Sequence, residues 1–199
     1  GGYCGTTDAM SLSMTFTNCP AGTFNNVIGA VTNASCTLCA AGKANPIPRS
    51  ADPAVCKECL PGRFTAEPGA PTCSLCPAGQ FQGARGQTEC EPCTPGYLCM
   101  EGSSAPQPCP GGTHANQTVL NLTGFLSSLE QCIECPAGTS CSVGSAEPKP
   151  CLLGSFAASA ETESCELCPG GYSCEREGTY DPLPCKPGEY RQFNDTIAC

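Results

Sequence analysis

Cys73-Ser74-Leu75-Cys76-Pro77-Ala78-Gly79-Gln80-Phe81 holds a C-x-x-C pair, a proline, a glycine three residues after the second cysteine, and an aromatic two residues later. Proline fixes φ and glycine supplies φ > 0, so the residues after Cys76 read as a tight turn that starts a hairpin. The same grammar recurs on both sides. Twelve cysteines have Gly at the third following position; Cys99 and Cys141 close a segment, and the other ten each open one: Cys19, Cys39, Cys59, Cys76, Cys93, Cys109, Cys135, Cys151, Cys168 and Cys185. We call these openers. The next cysteine along closes each segment. The pairs are then Cys19–Cys36, Cys39–Cys56, Cys59–Cys73, Cys76–Cys90, Cys93–Cys99, Cys109–Cys132, Cys135–Cys141, Cys151–Cys165, Cys168–Cys174 and Cys185–Cys199. This uses 20 of the 21 cysteines and leaves Cys4. Spacing cannot fix connectivity, so Cys93–Cys109 crossed with Cys99–Cys132 stays open. An aromatic often follows the turn, as at Phe24, Phe64, Phe81, Tyr97, Phe156, Tyr172 and Tyr190. Each such ring is placed to cover the flank of its disulfide.

A larger period appears in the second half. The loops closed by Cys99, Cys141 and Cys174 each enclose five residues. Each is followed by P-x-P-C: Pro106-Gln107-Pro108-Cys109, Pro148-Lys149-Pro150-Cys151 and Pro182-Leu183-Pro184-Cys185. P-x-P favours extended polyproline II, so these stretches are expected to be stiff spacers. Residues 93–134, 135–167 and 168–199 therefore read as three composite repeats, and residues 19–92 as simple hairpin repeats. Residues 1–18 read as the end of a truncated preceding repeat and a linker. Gly1-Gly2-Tyr3-Cys4 resembles the end of the loop Gly170-Gly171-Tyr172-Ser173-Cys174, so Cys4 is expected to close a loop opened upstream. The chain reads as a window on a longer array.

Composition agrees with this repeat reading. Leu, Ile, Val and Phe together make only 29 of 199 residues, and Trp is absent. That much apolar surface cannot offset the conformational entropy of the chain, so crosslinks must supply what a core lacks. This excludes a large α/β enzyme domain and a helical bundle. The expected fold class is small disulfide-rich repeats, an elongated tandem array of short β-hairpin and loop modules with little regular secondary structure. One stretch has helical spacing, Leu122, Phe125, Leu126 and Leu129, and is expected to be a local packing patch.

The net charge is −9 with no basic cluster, which argues against nucleic acid and anionic membrane surfaces as partners. No run of 18 apolar residues occurs, so direct membrane insertion is not expected. Four N-x-S/T sequons start at Asn33, Asn116, Asn121 and Asn194. Sequons and cysteines together point to a secreted, glycosylated chain with N-linked glycans.

Other chemistries fit less well. Cys56-x-x-Cys59 and Cys73-x-x-Cys76 have a zinc-ribbon spacing, but the array continues through loops that do not form regular four-cysteine sets, and basic residues are scarce. A thioredoxin-like role for C-x-x-C needs a βαβ context that no copy has. His114 is the single histidine, stands two residues before a sequon, and reads as a solvated loop position. The pairs Glu161/Glu163 and Glu175/Glu177 have no predicted cleft. Catalysis, a metal centre and a cofactor are therefore not expected.

The pattern C-P-A-G-x-F…C-x-x-C-P-A-G, as in Cys19-Pro20-Ala21-Gly22-Thr23-Phe24 and Cys73 to Gly79, resembles the ephrin-receptor-like cysteine-rich repeats. The composite form at Cys93 to Gly112 is similar to the variant in very large surface proteins of algae and other protists. The resemblance covers Cys19 to Cys199. It implies an extracellular structural glycoprotein of the flagellar mastigoneme kind, at the cell or flagellar surface. Further copies or repeats of the same protein would be its partners. It also implies O-glycans on Ser, Thr and hydroxylated linker prolines such as Pro106, Pro108, Pro148 and Pro150. The rival reading is a stalk or ligand-binding ectodomain of a receptor or adhesion protein.

Overall fold

The computed structural model describes residues 2–5, 15–27 and 35–190, with residues 2–5 and 15–17 as backbone alone. Among the described residues ten antiparallel two-stranded ribbons follow one another along the chain. β1 (Gly2–Gly5) pairs with β2 (Thr15–Asn18), β3 (Thr23–Phe24) with β4 (Thr37–Leu38), and β5 (Lys43–Ala44) with β6 (Lys57–Glu58). β7 (Arg63–Phe64) pairs with β8 (Ser74–Leu75), β9 (Gln80–Phe81) with β10 (Glu91–Pro92), and β11 (Tyr97–Leu98) with β12 (Gln107–Pro108). β13 (Thr113–Ala115) pairs with β14 (Cys132–Glu134), and β15 (Thr139–Ser140) with β16 (Lys149–Pro150). β17 (Ser155–Phe156) pairs with β18 (Glu166–Leu167), and β19 (Tyr172–Ser173) with β20 (Leu183–Pro184). The tandem hairpin array expected from the cysteine grammar is the fold.

The turn chemistry explains each ribbon from β3 onward. The residue after an opener accepts an i+3 hydrogen bond across the turn, as in Arg63 N–H to the Leu60 carbonyl at 3.0 Å and Gln80 N–H to the Pro77 carbonyl at 3.1 Å. The turn glycine sits at positive φ, +79° at Gly62. Its own carbonyl then accepts from the next opener, as from Cys76 N–H to Gly62 at 2.9 Å, which closes the hairpin.

The P-x-P stretches are not spacers. Gln107–Pro108, Lys149–Pro150 and Leu183–Pro184 are the second strands of hairpins whose first strands are β11, β15 and β19. Cys109 N–H donates to the Gly96 carbonyl at 2.9 Å. Donors alternate along a strand, so the N–H that Pro108 lacks would have pointed away from β11. A five-residue loop and its P-x-P stretch thus form one complete hairpin, equivalent to a simple repeat. Pro106, Pro148 and Pro182 stand three residues before the next opener, where the simple hairpins carry their closing cysteine.

Nine disulfides join Cys19–Cys36, Cys39–Cys56, Cys59–Cys73, Cys76–Cys90, Cys93–Cys99, Cys109–Cys132, Cys135–Cys141, Cys151–Cys165 and Cys168–Cys174, with Cα atoms 5.5–6.3 Å apart. The pairing is sequential; Cys93 and Cys109 are not joined. Cys185 is also disulfide-bonded, and its expected partner Cys199 lies outside the described residues. Among the described residues, eleven of the sixteen buried apolar positions are cysteines. Sulfur, not aliphatic carbon, forms most of the interior. Each bond stabilises the fold by roughly 2–4 kcal/mol by limiting the unfolded chain.

The chain divides into two compact units, Gly1–Pro92 with Glu101–Ala105, and Cys93–Met100 with Pro106–Cys199. The second unit holds the largest aliphatic cluster, in which Leu98, Cys109, Ala115 and Leu126 are buried and Val119, Leu120 and Cys132 pack against them. Leu126 belongs to an insert between β13 and β14 that carries α1 (Gln117–Thr123). The expected Leu122, Phe125, Leu126 and Leu129 patch does not form as a unit. α1 stops at Gly124 (φ +81°), so the helical spacing is broken after Leu122. Leu122 is 81% exposed and Leu129 49%, whereas Leu126 is fully buried.

Candidate functional site

The repeated chemistry of this protein lies in the contacts between successive hairpins. In the first unit, Gly22 N–H donates to the Asn45 carbonyl (2.7 Å) and Asn25 N–H to Ser50 (2.9 Å), while Arg49 N–H returns a bond to the Cys19 carbonyl (3.0 Å). The set repeats one hairpin on: Gly42 to Thr65 (2.9 Å), Asn45 to Ala70 (3.2 Å), and Gly69 to Cys39 (2.7 Å). It repeats again as Gly62 to Gln82 (2.7 Å), Thr65 to Gln87 (3.3 Å) and Gly86 to Cys59 (2.9 Å). The second unit has the same ladder. Gly112, Ala115 and Gly144 donate to Cys141, Ser145 and Cys109, and Gly138, Cys141 and Glu161 donate to Ala157, Thr162 and Cys135. Three backbone bonds at each such junction satisfy groups that two-residue strands would leave open.

Two sequence positions carry the ladder. One is six residues after each opener. It is buried in every described hairpin, whether Asn25, Asn45, Thr65, Gln82, Cys99, Ala115, Cys141, Ala157 or Cys174. Where it is cysteine, it closes the short loop. Where it is amide, the side chain organises the loop instead. Asn45 Nδ2 donates to the Thr23 and Ile47 carbonyls, both at 2.9 Å, and its Oδ1 accepts from Ile47 N–H at 2.9 Å. Gln82 Nε2 donates to the Glu89 carbonyl and its Oε1 accepts from Ala84 N–H, both at 2.9 Å.

The second position returns the bond to the preceding opener and sits at positive φ: Arg49, Gly69, Gly86, Gly102, Gly144, Glu161 and Gly178. All but Arg49 stand seven residues before the next opener; Arg49 stands ten before it, in a loop lengthened by a short 3-10 turn at Pro53–Val55. Neither position was singled out from the sequence, although the first keeps a fixed offset from the openers and the second does so in every case but Arg49.

The residues considered for chemistry lie apart from one another. His114 is a correction: it is on β13, not in a solvated loop, is only 7% exposed, and its Nδ1 stands 2.9 Å from the Ala115 carbonyl. A backbone bridge between His114 and the buried Ser145 of the following hairpin holds it inward. Glu161, Glu163, Glu175 and Glu177 are exposed. Cys56, Cys59, Cys73 and Cys76, with zinc-ribbon spacing, are divided among three disulfides. Lys43 and Glu58 face each other across β5 and β6 at 3.5 Å, both exposed, a pair that contributes little to stability. A groove of about 520 Å³ in the second unit is lined by Arg176, Tyr180, Asp181, Leu183, Lys186 and Glu189 among others. It gathers mixed charge around exposed apolar side chains and holds no arranged acid–base pair.

Two of the four sequons fall on described residues, and both lie on α1 and its cap. Asn116 is the N-cap, with Oδ1 accepting from Thr118 N–H (3.0 Å) and Val119 N–H (3.3 Å). Asn121 is exposed within the helix. Asn33 and Asn194 lie outside the described residues. No helix is long and apolar enough to cross a membrane among the described residues. The nine disulfides among the described residues mark a secreted or extracellular cysteine-rich protein, because such bonds persist in oxidising compartments. Neither a family model nor a curated protein matches this chain.

Proposed function

We propose that this chain is a structural segment of an extracellular glycoprotein, part of a longer cysteine-rich array that builds a rod or surface filament. The ephrin-receptor-like grammar and its mastigoneme-type composite form supply the class. The observation that carries the reading is the ladder. Within each compact unit most successive hairpins exchange backbone hydrogen bonds, which makes those repeats mutually dependent in the way of other repeat proteins. The protein's work on this reading is mechanical and spatial, not catalytic. Its partners are further copies or repeats of itself, and N-linked glycans with O-glycans on Ser, Thr and Pro hydrate the surface. Cell-surface or flagellar placement follows from the same resemblance.

Small-angle scattering of the non-reduced chain, with thiol alkylation and intact mass, tests the first half of this. An extended scattering profile with at most one alkylated cysteine is expected. A compact profile, or widespread alkylation, defeats the rod. Electron microscopy of the native material tests the filament: isolated monomers at high concentration defeat self-assembly and favour a receptor or adhesion stalk.

A further inference from the structure

We infer that Asn116 does two jobs with one side chain: Oδ1 caps α1, and Nδ2 carries an N-linked oligosaccharide. The inference rests on the extracellular reading and narrows it to one atom. The insert 116–131 replaces the tight loop found in other hairpins, and two sequons fall within its first eight residues. Helix capping accounts for only part of what is seen at Asn116-Gln117-Thr118. A cap needs an acceptor oxygen, and Asp, Ser or Asn serves equally well. Capping therefore does not require an amide at 116. It also requires nothing of residue 118 beyond its backbone N–H. Thr118 is exposed, and its hydroxyl has no hydrogen-bond partner among the described residues. Gln117, between them, is held by Nε2 donating to the Ala146 carbonyl at 2.7 Å. An amide at 116 and a hydroxyl at 118 are together what a glycan acceptor needs.

The second sequon on the helix differs. The Thr123 hydroxyl is committed to the Val119 carbonyl (2.9 Å) and the Phe125 carbonyl (2.7 Å), where it helps end α1. Local structure alone accounts for Thr123, so its presence says nothing further about Asn121.

The two jobs at Asn116 do not compete. Glycan transfer forms a bond between Nδ2 and the anomeric carbon of a lipid-linked oligosaccharide diphosphate. The glycosyl–oxygen bond of the donor breaks, the lipid diphosphate leaves, and one Nδ2 proton is lost to base. Oδ1 is not consumed and still accepts from Thr118 and Val119. Asn116 is only half-buried.

The test uses the full chain secreted from a eukaryotic cell, with thiols alkylated before digestion and glycans released by an amidase in heavy-oxygen water. Heavy-oxygen Asp at position 116 is expected. Ordinary Asn at 116, whether or not Asn33, Asn121 or Asn194 is labelled, overturns the inference. Widespread alkylated cysteines would instead sink the extracellular reading beneath it, and alkylation reports that separately. Asn116→Asp and Thr118→Ala each keep a cap oxygen, so each should lose one oligosaccharide from the intact mass while melting like the enzymatically deglycosylated chain. Asn116→Ala should lose the same mass and melt lower than either. Full glycan mass in Asn116→Asp or Thr118→Ala also overturns the assignment.

Discussion

The backbone carbonyl of Gly102 occupies the space in which a side chain on Gly62 would begin. The two residues belong to hairpins two steps apart, and the same approach joins Gly22 to Gly69 and Gly138 to Gly178. Gly62→Ala must therefore pay the left-handed backbone cost of about 1–2 kcal/mol and also displace Gly102, which donates to the Cys76 carbonyl at 2.8 Å. Gly124 has a similar φ (+81°) with nothing within 4 Å of a Cβ. Gly124→Ala should lose only the backbone cost, and Gly62→Ala at least about 3 kcal/mol in total. Urea unfolding with disulfides intact measures the gap. Equal losses would show that the approach of Gly102 is not tight.

Asn45 is fully buried and ties Thr23, Ile47 and Ser50 together. Asn45→Ala leaves those groups unsatisfied and should lose roughly 2–4 kcal/mol. Asn45→Asp is more informative. Its carboxylate would face the carbonyls of Thr23 and Ile47 in a buried site, so the folded-state pKa would rise above the ordinary value near 4. A raised carboxyl pKa means that the variant's stability is fully kept below the ordinary value near 4 and is lost as pH rises from there through the raised value. Asn45→Asp should thus be close to Asn45→Ala at about pH 3 and clearly weaker at about pH 7. Denaturant midpoints at both pH values decide it, and a pH-independent difference contradicts this account of the site.

Leu126 and Leu122 are four residues apart and should behave oppositely. Leu126→Ala opens a cavity against Leu98 and Ala115 and should lose about 2–5 kcal/mol. Leu122→Ala, at 81% exposure, should change stability by less than about 0.5 kcal/mol. A similar loss in both would mean that the insert packs differently from the cluster described above.

Reduction should follow burial. Cys135, Cys141, Cys168 and Cys174 are all at most 1% exposed, whereas Cys73, Cys90 and Cys165 are half-exposed. Thiolate must reach a sulfur to attack it. Graded reductant on the folded chain should free Cys59–Cys73, Cys76–Cys90 and Cys151–Cys165 before Cys135–Cys141 and Cys168–Cys174. Differential alkylation read by mass spectrometry gives the order, and the reverse order would refute it.

The openers made the hairpins legible before any coordinates, because Cys-x-x-Gly is a turn whose meaning is local. Glycine at Gly62 or Gly79 and the closing C-x-x-C need only a few neighbouring residues to specify a ribbon. Composition likewise required crosslinks in place of a core. What the sequence left undecided depends on residues that meet through the ladder. Spacing alone could not choose between Cys93–Cys99 and Cys93–Cys109. Pro106-Gln107-Pro108 looked like a spacer because its partner, β11, is recognised only once the hairpin closes. His114 looked solvated because Ser145, the buried residue it bridges, belongs to the next hairpin. Asn45 and Glu161 are ordinary polar residues until their bonds to adjacent hairpins are seen. Local backbone preference determined which segments turn; contact between hairpins determined which of their residues are buried, strained or held.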